Sequence, residues 1–150
     1  MGLFEKISED LKTAMLGKQK TRLESLRAIK SAFLLARTES VSHELSAEQE
    51  MKIIQKLVKQ RRESADIYKA QNRMDLYQIE ADEAAVIEEY LPKQMTEAEL
   101  IPVLKAIIQK EGATSVKDMG KIMSAASREL AGKADSRIIA EKVKELLARL

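Results

Sequence analysis

Tyr90-Leu91-Pro92-Lys93-Gln94-Met95-Thr96-Glu97-Ala98-Glu99-Leu100 is the stretch at which the chain divides. The residue before a proline avoids the helical region, so Leu91-Pro92 stops whatever helix precedes it. Four residues later, Thr96 with Glu99 has the spacing of a capping box, and the apolar residues from Leu100 onward follow it. One helical block therefore closes and another opens within a few residues. The expected division is a helical amino-terminal domain over residues 1–92 and a smaller domain over 93–150.

Upstream of this boundary, helical periodicity runs almost without a break. Leu3, Phe4, Ile7, Leu11 and Met15 form one stripe that Gly17 closes, and Leu23, Leu26, Ile29 and Phe33 form a second, ending near Arg37. Ser46 with Gln49 opens a long helix through Met51, Ile54, Val58, Ala65 and Tyr68. After a break near Asn72, a fourth stripe carries Leu76, Ile79, Val86 or Ile87, and Tyr90. Downstream, Leu100, Leu104, Ile107 and Ile108 precede Gly112; Ser115 with Asp118 caps Met119, Ile122, Met123, Ala126 and Leu130; and after Gly132, Asp135 caps Ile139, Val143, Leu146 and Leu150. Pro102 falls past the first turn, where a kink or a later helix start is expected. The fold expected is all-α: a bundle of about four helices, then a three-helix domain. Arg61 interrupts the heptad begun by Met51, Ile54 and Val58, so an intramolecular bundle is simpler than a coiled-coil dimer.

Composition narrows the chemistry. With no Cys and one His in 150 residues, thiolate nucleophiles, disulfides and multi-histidine metal sites are excluded. Aromatics make up 3% and charged residues 33%, with a net charge of +2. No apolar run approaches membrane-spanning length, no membrane partner is expected, and the start of the chain, Met1 to Lys6, lacks a signal-type core; a cytoplasmic location is the expectation. Residues 1–95 carry 16 basic and 16 acidic side chains, whereas residues 96–150 carry 10 and 8. Lys52, Lys56, Lys59, Arg61 and Arg62 precede the acidic run Asp75, Glu80, Asp82, Glu83, Glu88 and Glu89, an order that suits antiparallel neighbours.

No catalytic constellation emerges. Glu80, Glu83 and Glu89 have no Glu-x-x-His partner, so a solvated acidic face is the simpler reading. Gly120-Lys121 is followed by Ile122, where a phosphate loop needs Ser or Thr, and Gly132-Lys133-Ala134 fails in the same way. His43 stands in a polar loop without a nucleophile or an orienting partner, and no cofactor or metal is implied. What remains is a basic set: Lys117, Lys121, Arg128, Lys133 and Arg137. Lys117, Lys121 and Arg128 fall near one helix face, and Lys133 and Arg137 flank the next helix start, where backbone N–H groups favour anions. Gly120 lacks a side chain and permits close approach of the backbone, either to a packed helix or to a ligand.

Gly112-Ala113-Thr114-Ser115, Lys117-Asp118-Met119-Gly120-Lys121 with Met123, and Gly132-Lys133-Ala134-Asp135 resemble the YqeY family, also called GatB/YqeY-like proteins. The resemblance extends to Leu11–Met15, Val58–Ser64 and Glu88–Met95. It implies a helical domain followed by a three-helix domain similar to the GatB tail of the glutamine-dependent Asp/Glu-tRNA amidotransferase, with tRNA as the partner. Aminoacyl-tRNA synthetase or amidotransferase components are further partners that it implies. The family label carries carbon–nitrogen ligase activity with glutamine as amido-N-donor, but the amidase Ser-Lys machinery and the phosphorylating domain are missing here. The expectation is a non-catalytic tRNA-binding or accessory protein, in which Lys117, Lys121, Arg128, Lys133 and Arg137 contact phosphates. The competing expectation is a protein-interaction module using the acidic helix and the bundle surface.

Overall fold

A computed structural model describes residues 2–150; Met1, where the expected amino-terminal domain and the signal-sequence reading begin, lies outside them. The chain is all-α: α1 (Leu3–Leu16), α2 (Lys20–Glu39), α3 (Ala47–Ala70), α4 (Met74–Glu88), α5 (Glu97–Glu111), a 3₁₀ turn at Val116–Asp118, α6 (Met119–Glu129) and α7 (Ser136–Ala148). It forms two compact units, one ending at Leu91 and the other spanning Pro92–Leu150. The first is a four-helix bundle and the second a three-helix cluster.

The bundle buries Ile7 and Ala14 of α1, Leu26, Ile29 and Phe33 of α2, Ile54 of α3, and Ile87 of α4. Each large side chain removed from water contributes about 1.5–3 kcal/mol before conformational entropy is counted. Tyr90, also buried, donates its hydroxyl hydrogen bond to Asp10 at 2.5 Å and so ties the end of α4 to α1. Burial, and then that bond to a carboxylate, raises the Tyr90 pKa above the ordinary phenol value. The box at Ser46 forms in full: Gln49 N–H donates to Ser46 Oγ at 3.1 Å and Ser46 N–H to Gln49 Oε1 at 2.8 Å.

α3 and α4 pair as an antiparallel hairpin through a left-handed turn at Asn72 (φ 57°). Arg61, which breaks the heptad, meets Glu83 at 3.1 Å, with the two side chains only 19% and 18% exposed. Arg62 reaches Glu88 at 2.9 Å, and Arg22 of α2 reaches Glu89 at 2.9 Å. Here the apolar stripe expected on α4 is corrected. Ile79 is 54% exposed, whereas Ala84 and Ile87 are fully buried. The inner face follows Glu80, Glu83, Ala84 and Ile87, so charged residues occupy turns that a hydrophobic pattern assigns to solvent.

In the second unit, Leu100, Leu104, Ile107 and Ile108 pack with Ile122, Ala126 and Leu130 of the α6 segment and with Ile139, Val143 and Leu147 of α7. Thr96 caps α5 by accepting Glu99 N–H at 3.2 Å, while its hydroxyl lies 3.1 Å from the Glu99 carboxylate. The later helix start expected at Pro102 does not occur: α5 begins at Glu97 and continues through the proline. Only the hydrogen bond to the Ala98 carbonyl is forfeited, because the missing N–H lies four residues beyond it. Gly112 ends the helix with φ 68°, a left-handed conformation that costs glycine little.

Candidate nucleic-acid interface

Lys117 lies on the 3₁₀ turn, Lys121 and Arg128 on α6, Lys133 in the following turn and Arg137 in the first turn of α7; all five side chains are exposed. Lys121 and Arg128 are seven residues apart and therefore within about 20° of each other around the helix, on the flank away from Ile122 and Ala126. Lys121 Nζ donates to the Glu111 carbonyl at 2.8 Å, so this ammonium also caps the end of α5. Arg128 borders a cleft of about 290 Å³ with Ile107, Lys110, Glu111 and Glu129. Lys110 thus joins the basic group from another helix, a neighbour that spacing along α6 does not reveal.

Lys133 and Arg137 have different surroundings. The Lys133 carbonyl accepts Met95 N–H at 2.8 Å, and the Gly132 carbonyl accepts the Gln94 amide at 2.6 Å, so this turn packs on the strap leading into α5. Arg137 lies 3.6 Å from Glu141 one turn along α7. Lys117, Arg128 and Lys133 have no carboxylate partner among the described residues.

The start of α7, where an anion site is expected, and the turn ahead of α6 both carry the protein's own carboxylates. Asp118 accepts Thr114 N–H at 2.8 Å and Ser115 N–H at 3.2 Å. These bonds favour its ionised form and lower its pKa below the ordinary carboxylate value. Asp135 accepts Arg137 N–H at 2.9 Å. A phosphate approaching the start of α7 would meet the Asp135 carboxylate first, so any anion there is held by side chains.

Gly120 is exposed, and a Cβ built on it meets no atom within 4 Å. Helix packing inside the chain therefore does not require the glycine. The acidic run, in turn, is largely neutralised: Asp75, Glu83, Glu88 and Glu89 are all paired with arginines. His43 is exposed, with Nδ1 3.3 Å from the Arg37 carbonyl. No group of three or more His, Asp or Glu residues is arranged to hold a metal ion among the described residues. None of the described helices is long and apolar enough to cross a membrane.

An all-helical two-unit chain with exposed basic residues on its smaller unit is the class that the structure defines. Residues 4–147 match the YqeY family, described as Yqey-like protein, and the chain belongs to that family. It is also similar to "Altered inheritance of mitochondria protein 41, mitochondrial" of Meyerozyma guilliermondii, with 36% identity over 85 residues. That match covers 57% of this chain and 44% of the relative, so the chain aligns with less than half of that protein's length. The expectation of a cytoplasmic location is overturned by this comparison, because the relative is by name mitochondrial.

Proposed function

We propose that this chain is a non-catalytic tRNA-binding accessory protein, related to the tail domain of the tRNA-dependent amidotransferase. The observation that carries the reading is the set of free cations on the smaller unit: Lys117, Arg128 and Lys133 are exposed without a carboxylate partner among the described residues, and the exposed Gly120 lies in sequence between Lys117 and Arg128. Lys121, on the same side of α6 as Arg128, and Arg137, paired with Glu141, add further charge. Side chains of this kind hold phosphates by charge and shape, and the scarcity of aromatics makes base stacking a poor alternative. Pairing of the acidic run with arginines leaves the competing protein-interaction surface on α4 with little free charge.

Filter binding of the full chain to folded tRNA and to an unstructured RNA of the same length tests the reading. Five phosphate contacts correspond to a slope of log affinity against log salt of about −4 on the duplex calibration. Lys117→Glu flattens that slope by about one and weakens binding. Lys56→Glu, an exposed site on α3, changes it much less. Equal and negligible binding to both RNAs removes the proposal.

A further inference from the structure

α5 and α7 leave a groove of about 830 Å³ between them on the smaller unit. Its floor is aliphatic: Ile101 and Ile108 from α5, Leu146 from α7, and Leu150 just beyond it. Leu150 is 65% exposed, so the apolar surface continues out to solvent. Within the groove, Lys142 lies 3.4 Å from Glu97 and 3.5 Å from Glu145, which uses up the carboxylate that lines it. The remaining charged side chains lining the groove are Lys105 and Arg149, both without a carboxylate partner among the described residues.

We propose that this groove docks one amphipathic helix of a protein partner, aliphatic on the entering face and acidic along its flanks. The volume holds several aliphatic side chains, which suits anchors at i, i+4 and i+7 of a helix rather than a single inserted residue. The two unpaired cations attract Asp or Glu at the edges of such a helix and fix its register. A nucleobase is a poor occupant because the lining offers no aromatic ring on which to stack. A second copy docking groove to groove is disfavoured as well, since a two-fold interface would set the positive rims of both copies against each other. Docking here does not rest on the proposed tRNA binding, since none of Lys117, Lys121, Arg128, Lys133 and Arg137 lines the groove.

The test is fluorescence anisotropy of three labelled peptides with the full chain. One is a helical peptide with Leu at i, i+4 and i+7 and Glu on its flanks; the second is its scrambled counterpart; the third carries Lys in place of Glu. The acidic amphipathic peptide binds about tenfold or more tighter than the other two, and the double variant Lys105→Glu, Arg149→Glu removes about tenfold of its affinity. Lys59→Glu, exposed on α3, leaves it unchanged. Circular dichroism of the double variant checks that α5 and α7 are intact, and its tRNA affinity changes no more than that of Lys56→Glu. Equal binding of the three peptides, or binding indifferent to the rim reversal in a folded variant, overturns the proposal. So does sedimentation showing that the groove is filled by a second copy of the chain.

Discussion

Replacing Gly120 by alanine probes both the fold and the proposed contact surface. Glycine inside a helix is less stable than alanine by about 0.5–1 kcal/mol, because it loses more backbone freedom on folding. Gly120 is the second residue of α6, one residue past the 3₁₀ turn, so the lower half of that range applies. The added methyl meets no atom within 4 Å, and Gly120 has no left-handed φ that alanine would have to adopt. Nothing therefore offsets the gain in propensity. A domain of this size shifts its melting temperature by about 4–8 °C per kcal/mol, which places the rise at about 2–6 °C for the smaller unit. Following the methyl resonances of Ile107, Ile122 and Val143 through a urea titration isolates that unit from the bundle. The urea midpoint moves up, with the slope unchanged. A fall in the midpoint refutes the open environment of Gly120. If RNA backbone approaches this point closely, the same methyl weakens tRNA binding in spite of the added stability. A more stable variant with undiminished affinity refutes close approach at Gly120 while leaving the lysines to be tested separately.

The Arg61–Glu83 pair gives a second test. Each single alanine variant destabilises the bundle by about 1–2 kcal/mol by leaving a half-buried charge alone, and the double-mutant cycle yields about 1 kcal/mol of coupling. Coupling indistinguishable from zero in denaturant titrations refutes the pair as a cross-helix contact. For Asp118, whose folded pKa is depressed, the linked stability is present above the unfolded carboxylate pKa and is lost as pH falls through the lowered folded value. Carbon-detected titration therefore finds its midpoint below those of unpaired carboxylates, and Asp118→Asn flattens the acid limb of the smaller unit's stability profile. Residues 92–150 expressed alone melt cooperatively, since their core of α5, α6 and α7 residues is self-contained; a broad, non-cooperative trace by calorimetry counts against an independent domain.

The helix ends were the most legible part of the fold because capping is local. Ser46 with Gln49 and Asp135 with Arg137 are contacts across two or three residues, which spacing alone exposes. The inner face of α4 was not legible, since Glu83 earns its place only through Arg61, 22 residues away in sequence. Pro102 misled for a related reason: the Thr96 cap and the burial of Leu100 and Leu104 outweigh one lost hydrogen bond. In the candidate interface, the shared flank of Lys121 and Arg128 followed from helical periodicity, but Lys117, expected near the same face, lies on the 3₁₀ turn, where α-helical spacing does not apply. The bond from Lys121 to Glu111, the arrival of Lys110 and the apolar groove between α5 and α7 depend on how three helices meet, which no single stripe encodes. The carboxylates at the helix starts had a signal that anion reasoning overlooked: an Asp placed to cap a helix claims the N–H groups that a phosphate would otherwise use.

That last arrangement separates classes of ligand by valency. With Asp135 taking Arg137 N–H at the start of α7, and Asp118 taking Thr114 and Ser115 N–H ahead of the 3₁₀ turn, a lone phosphate or a free nucleotide loses those backbone donors. Lys121 and Arg128 stand about 10 Å apart along α6, and Lys117 lies on the preceding 3₁₀ turn, so a small anion is held no better than by any exposed lysine. A polymer with phosphates at regular intervals engages several together, and each contact after the first is made at high effective concentration. On the proposed reading, this surface discriminates against small phosphorylated metabolites and favours a long polyanion.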